Sequence, residues 1–183
     1  MPSAPTPSVP ATPWPSPLDS DSLLASAREL QRAGDGAPKA HLLRDRHLGL
    51  VCELDDGEEA KLFRRAATAL GARVTHIRPS VSQLDTAGEE ALKHTARILG
   101  RLYDGIECQG LDPSLVIRLA RDAGVPVFDG LASSRNATAP LTRLLDGADS
   151  AETKRLLILQ AVLLFALLNR APTGGFVLQK GTP

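Results

Sequence analysis

Residues 48–74 read LGLVCELDDGEEAKLFRRAATALGARV, and this stretch decides the fold. The apolar run Leu48–Leu54, interrupted only by Glu53, predicts a strand that is covered on both faces. After an acidic turn, apolar residues at helical spacing predict a helix that Gly71 ends. In open α/β proteins the N-terminus of such a helix is the usual anion-binding corner, because its free N–H groups and the helix dipole point there. Here the corner is acidic.

Strands and helices alternate on both sides of this unit. Leucines at helical spacing predict a first helix that begins near Leu18. Further elements are predicted as strands at Ala72–Ile77, Tyr103–Cys108 and Pro126–Asp129, and as helices at Glu89–Arg101, Ser114–Ala123, Pro140–Leu145 and Ser150–Asn169. This alternation predicts an α/β fold with a parallel sheet of about four strands, helices on both faces, and a long apolar C-terminal helix.

Composition predicts one domain between two tails. Half of the 14 prolines lie in residues 1–17, which we expect to be disordered, and residues 171–183 form a second Gly/Pro-rich tail that we expect to be flexible. Residues 18–170 form the domain, including a covering helix at 150–169. Lys plus Arg and Asp plus Glu are equal at 21 each, so we expect no nucleic acid partner. The apolar run in the last helix is too short to span a bilayer, and no signal peptide is visible, so we expect no membrane partner and a cytoplasmic location.

No residue pattern indicates catalysis, a metal or a cofactor. The acidic residues Asp55, Asp56, Glu58 and Glu59 could coordinate a hard cation, but acidic residues also stabilise a helix N-terminus without any ligand. Neither a nucleophile with a paired base nor a glycine-rich nucleotide motif is present. We therefore expect no cofactor, no metal and no catalytic residue. The four histidines, which lack the spacing of metal ligands, are His41, His47, His76 and His94.

Two segments resemble a known family. HTARILGRLYDGIECQG at 94–110 and AGVPVFDGL at 123–131 resemble the carbamoyl-phosphate domain of ornithine and aspartate carbamoyltransferases, in which D-T-A-R-x-L-x-R-x-Y-D-x-I precedes V-P-V-x-N-G-L. The first strand and helix also resemble that domain, and the likeness extends from about Leu18 to Leu145. Arg97 and Arg101 match the motif, but on an amphipathic helix they could equally face solvent or pair with Glu89, Glu90 and Asp104.

The resemblance implies that the residues that bind carbamoyl phosphate, the carbamoyl donor, are replaced. The family's arginine after its third strand falls on Gln109, and its H-P-T-Q motif falls on Asn136, Ala137, Thr138 and Ala139, of which only Thr138 is retained. Its S-T-R-T-R phosphate loop falls on Asp56, Gly57, Glu58, Glu59 and Ala60, with Glu58 at the key arginine position.

These replacements imply a large loss of binding free energy for carbamoyl phosphate. Each lost charge-assisted hydrogen bond costs about 1.5–3 kcal/mol. A carboxylate about 4 Å from a phosphate charge adds roughly 4 kcal/mol of repulsion at an effective dielectric constant near 20. Since a micromolar ligand is held by only about 8 kcal/mol, we expect that carbamoyl phosphate does not bind.

The family's second domain, which binds the amino acid, has no counterpart in this sequence. Instead the chain passes from Leu145 to AETKRLLILQAVLLFALL at 151–168, which resembles the helix that packs back on the first domain. The resemblance thus implies a catalytically inactive carbamoyltransferase-like protein that serves as an oligomerisation or regulatory module. Active members are trimers built through this domain, so the expected partner is a second copy, as in a homotrimer, or an active carbamoyltransferase in a mixed oligomer.

Two alternatives stay open. One is an active carbamoyltransferase that transfers the carbamoyl group to ornithine or another amine, with Gln109, Asn136 and Thr138 as neutral ligands. The other is a sensor of an amino acid or polyamine, which would bind at the acidic corner.

Overall fold

The structure is a computed structural model that describes residues 17–34, 39–54, 57–78 and 88–168, and the backbone of residues 177–178. The predicted tails therefore lie almost wholly outside the described residues. The helices are α1 (Pro17–Ala33), α2 (Glu58–Ala69), α3 (Glu89–Leu102), α4 (Pro113–Ala123) and α5 (Ala151–Leu168), with two short 3-10 helices at Lys39–His41 and Ala139–Leu144.

The strands form one parallel sheet in the order β2-β1-β3-β4-β5. They are β1 (His47–Val51), β2 (Arg73–Ile77), β3 (Gly105–Cys108), β4 (Val127–Asp129) and β5 (Val177–Leu178). The predicted α/β class and the parallel sheet are confirmed. The fifth strand was not predicted: it lies in the segment expected to be a flexible tail, where a run of three apolar residues, 176–178, is too short to show a strand periodicity.

Apolar side chains cover both faces of the sheet. On one face Leu50, Phe63 and Phe128 are buried in a core that includes side chains of α1, α2 and α5. On the other face Ile106 and Leu115 belong to a second core with α3 and α4. The two cysteines are buried, one in each core. Among the described helices, none combines the length and apolar character that a membrane span requires.

The first strand is shorter than predicted. The apolar run suggested Leu48–Leu54, but β1 ends at Val51, and Leu54 is 68% exposed. Cys52 still donates its N–H to the carbonyl oxygen of Ile77 at 3.2 Å, after which the chain leaves the sheet. The apolar segment is therefore longer than the strand that pairs with its neighbours, because composition does not indicate where the hydrogen bonds between strands end.

Helix ends follow the expected chemistry. Gly71 follows α2 with φ +89, in the left-handed region that glycine adopts without strain. A Cβ at this position would lie 2.0 Å from the carbonyl oxygen of Ala40, so no other residue fits. At the start of α4, Asp112 accepts a hydrogen bond from the N–H of Ser114 at 2.8 Å.

Candidate functional site

The acidic corner lies at the N-terminus of α2, at the carboxyl end of β1. Gly57, Glu58 and Glu59 are all exposed there. Glu58 Oε1 accepts a hydrogen bond from Lys61 Nζ at 3.0 Å, so its charge is paired within its own helix. Asp56 lies outside the described residues. The described part of the corner, residues 57–59, is thus a solvated acidic surface.

Gln109 follows β3 and is nearly buried, with 9% of its surface exposed. Its Nε2 donates to Glu107 Oε1 at 3.2 Å. Glu107 itself is completely buried in the middle of the sheet. Because side chains alternate along a strand and Ile106 and Cys108 pack in the core beside α4, Glu107 faces the opposite side, which α5 covers.

Asn136 and Thr138 lie in the loop after β4 and are both buried. Asn136 Nδ2 donates to the carbonyl oxygen of Asp129 at 3.3 Å. Asn136 Oδ1 accepts hydrogen bonds from the N–H of Thr138 at 3.0 Å and from its hydroxyl at 2.8 Å. Asn136 therefore braces the loop from inside, and Ala139 begins the 3-10 helix that follows.

Arg155, near the start of α5, completes this group of side chains. Its Nη1 donates to Thr138 Oγ1 at 2.9 Å. Its Nη2 donates to the carbonyl oxygens of Leu131 at 2.5 Å and Ser133 at 3.2 Å. The guanidinium group thus ties the last helix to the loop after β4. We refer to Glu107, Gln109, Asn136, Thr138 and Arg155 as the buried polar network.

Sequence reasoning missed two members of the buried polar network. Arg155 and Glu107 lie within segments predicted as a helix and a strand, and neither is predicted to have a role. A usable signal was present for Glu107, because a charged residue within a short apolar strand of a sheet that is covered on both faces must be buried, and a buried charge needs partners. Arg155 follows the polar residues Glu-Thr-Lys at the start of its helix, so the sequence gives no such signal there.

Burial shifts two pKa values in the buried polar network. It raises the pKa of Glu107 well above its usual value, although the Gln109 amide and the nearby backbone N–H groups of Leu131 and Ala132 act in the opposite direction. Burial also lowers the pKa of Arg155 to about 10, against the attraction of Glu107 and Glu59. Arg155 therefore stays charged at neutral pH. Its attraction to Glu59 links the acidic corner with the buried polar network.

Three of the predicted ligand positions, Gln109, Asn136 and Thr138, are buried, and their side-chain atoms form hydrogen bonds inside the protein. Glu58 and Glu59 are instead exposed at the acidic corner. Arg97 and Arg101 are exposed on α3. Within the described part of the chain, no group of three or more His, Cys, Asp or Glu side chains could hold a metal ion. The buried polar network contains a fixed guanidinium cation and neutral hydrogen-bond donors. Among the described residues it contains no nucleophile.

Comparison with known proteins gives a consistent group of relatives. No protein-family model matches the chain. Over 123 residues it is 40% identical to ornithine carbamoyltransferase of Haemophilus influenzae, which covers 67% of this chain and 36% of the relative. Over 130 residues it is 38% identical to ornithine carbamoyltransferase of Actinobacillus pleuropneumoniae, covering 71% of this chain and 38% of the relative.

A solved structure agrees with these relatives. The crystal structure of anabolic ornithine carbamoyltransferase from Campylobacter jejuni aligns with a TM-score of 0.51 at 26% identity, covering 61% of this chain and 35% of that chain. The chain therefore spans little more than a third of the curated relatives that it matches.

Proposed function

Because the chain is homologous to ornithine carbamoyltransferases over about a third of their length, we propose that it is a non-catalytic relative of these enzymes. In this proposal it retains the fold of their carbamoyl-phosphate domain, lacks a working donor site, and serves as an oligomerisation or regulatory module.

The observation that carries the proposal is that the side chains aligned with the carbamoyl-phosphate ligands are buried and hydrogen-bonded within the protein. Gln109, Asn136 and Thr138, which align with family ligand positions, are at most 9% exposed. Gln109 donates to Glu107, and Thr138 bonds Asn136 and Arg155. A ligand would have to replace these internal hydrogen bonds, so much of its binding energy would be spent in breaking existing ones.

The charges support the same conclusion. At the N-terminus of α2, Glu58 stands where the family places an arginine, and Glu59 adds a second negative charge. Both repel a phosphate group that approaches the helix N-terminus. The guanidinium group of Arg155 is attracted to Glu59 at this corner, and it donates hydrogen bonds to Leu131, Ser133 and Thr138. Arg155 is therefore already engaged within the protein.

An assay of citrulline formation tests the absence of catalysis. The full chain is incubated with carbamoyl phosphate and ornithine, and an active ornithine carbamoyltransferase at the same concentration is the positive control. We expect no citrulline above the rate without enzyme. A rate that rises in proportion to the concentration of this chain contradicts the proposal.

A mixing experiment tests the proposed partner. Size-exclusion chromatography with light scattering is run on the chain alone and after mixing with an active ornithine carbamoyltransferase. We expect a homo-oligomer, such as a trimer, or a mixed oligomer. A strict monomer in both runs removes the oligomerisation role and leaves only a monomeric regulatory one.

One observation favours a second candidate, an active carbamoyltransferase. Thr138 is retained from the family motif, and a buried guanidinium group lies 2.9 Å from its hydroxyl oxygen. If the loop after β4 opens, Arg155 and Thr138 could bind a carbamoyl oxygen together with the neutral Gln109 and Asn136. In that case citrulline is formed, and the R155K variant forms it at a much lower rate.

A further inference from the structure

The outer face of α3 carries exposed apolar and basic side chains side by side. Ile98 is 43% exposed and Leu102 is 60% exposed. Arg97 and Arg101 are exposed beside them. Because residues three and four apart lie on the same side of a helix, these side chains form one continuous surface. We refer to Arg97, Ile98, Arg101 and Leu102 as the α3 stripe.

The two arginines of the α3 stripe form no ion pair within the part of the chain that the structure describes. The acidic residues closest to them in the sequence are engaged elsewhere. Glu89, Glu90 and Asp104 each pair with a different basic side chain, at 2.8, 3.6 and 2.9 Å. The α3 stripe thus keeps two positive charges beside two apolar side chains, a combination that acidic and apolar groups on a partner complement.

The acidic corner offers the opposite combination. Glu58 and Glu59 are exposed there, and so are Glu53 and Leu54, which follow β1. Leu54 is 68% exposed. Among the described residues Glu58 has an ion-pair partner in Lys61, whereas Glu53 and Glu59 have none. An exposed leucine among carboxylates therefore matches the exposed apolar side chains and arginines of the α3 stripe.

These two surfaces cannot meet within one molecule. The acidic corner lies at the carboxyl end of β1 and begins α2, which packs in the core on one face of the sheet. The α3 stripe extends to the C-terminal end of α3, which leads to the amino end of β3, and α3 packs in the core on the other face. The surfaces therefore lie at opposite ends and on opposite faces of the sheet, and a contact between them requires a second copy of the chain.

We propose that the α3 stripe of one copy binds the acidic corner and Leu54 of a second copy, so that arginines meet carboxylates and apolar side chains meet each other. The inference rests on the proposed function, because it names the surfaces through which the proposed oligomer forms. Exposed ion pairs alone contribute little, so the apolar side chains are needed as well. Since each copy uses two different surfaces, the contact is heterologous, and further copies can add until a ring closes.

Charge reversal of either surface tests the contact. R97E/R101E makes the α3 stripe acidic, and E58K/E59K makes the acidic corner basic. In sedimentation velocity over a concentration series, we expect each variant alone to associate only at concentrations about tenfold or more above those of the wild-type protein, because like charges then face each other. The control is R32E, which reverses an exposed charge at the end of α1 and should associate like the wild-type protein.

Mixing the two reversed variants makes the test specific for this pair of surfaces. In an equimolar mixture the acidic stripe of one variant faces the basic corner of the other, and their unchanged surfaces also match. We expect the mixture to associate like the wild-type protein. If a double variant lacks the native circular dichroism spectrum, R101E and E59K replace the pairs, with the same expected pattern.

Three results would overturn the inference. They are association of either reversed variant alone at wild-type concentrations, no gain on mixing two folded variants, and a wild-type protein that stays monomeric throughout the series.

Failure of this contact is distinguishable from failure of the proposed function. Citrulline formation by the wild-type chain contradicts the proposed function, whatever the reversed variants do. A wild-type oligomer that neither reversal weakens contradicts the contact and leaves a non-catalytic oligomer in place.

Discussion

Arg155 shows how one side chain can join distant parts of the chain. From α5 it donates hydrogen bonds to Leu131, Ser133 and Thr138, all in the loop after β4. Two of these acceptors are backbone carbonyls that are otherwise shielded from water. Removing the guanidinium group takes this partner from the Leu131 carbonyl, while the Ser133 carbonyl keeps the N–H of Asn136 at 3.1 Å. Loss of a partner by a buried polar group is costly.

We expect R155M to lower the free energy of unfolding by about 3 kcal/mol, because it removes three charge-assisted hydrogen bonds while roughly keeping the volume of the side chain. Urea denaturation measures this difference. The matched control is R97M, since Arg97 is exposed on α3, and it should change stability by less than about 0.5 kcal/mol. Equal stability of R155M and R97M would refute the bracing role of Arg155.

The raised pKa of Glu107 predicts how the free energy of unfolding depends on pH. Because burial raises its pKa in the folded chain, the folded state binds more protons than the unfolded state at intermediate pH. The contribution of Glu107 to the free energy of unfolding therefore falls as pH rises from about 4.3, the usual glutamate value, towards the raised folded pKa.

E107Q lacks this titration. We expect the stability of E107Q relative to the wild-type protein to increase with pH across that window, as measured by urea denaturation at a series of pH values. A stability difference that does not change with pH, or one that shrinks as pH rises, contradicts the buried carboxyl group.

At the scale of elements, local chemistry predicted most helices and strands. The turn glycine Gly71 marked the end of α2 correctly. Local chemistry did not predict which residues pair with neighbouring strands. The end of β1 and the existence of β5 depend on hydrogen bonds to neighbouring strands, and these are not encoded in the composition of the segment itself.

The close approach of Gly71, after α2, to the Ala40 carbonyl oxygen gives a prediction at the scale of elements. We expect G71A to lower the free energy of unfolding by about 2 kcal/mol or more, because its Cβ would meet the Ala40 carbonyl oxygen and φ is positive. Thermal denaturation measures the loss. The control is G34A, which has φ +66 with no described atom within 4 Å of the added Cβ, and should cost about 1 kcal/mol. Equal losses would show that the close approach contributes nothing.

At the scale of the whole molecule, the order of strands and helices was enough to predict a parallel α/β sheet with two covered faces. The resemblance also predicts that the ligand positions are replaced. The internal hydrogen bonds of Gln109 and Thr138 were not predicted, because they depend on Glu107 within β3 and on Arg155, 17 residues after Thr138. A contact between elements far apart in sequence leaves no periodic trace in either of them.

The central claim is that the donor site is closed to carbamoyl phosphate, and calorimetric titration of the full chain with this compound tests it most directly. An active ornithine carbamoyltransferase titrated in the same buffer is the control. We expect no binding heat from this chain at ligand concentrations up to about 1 mM, where even a weak site worth about 4 kcal/mol would be half filled. A dissociation constant below about 1 mM contradicts the account.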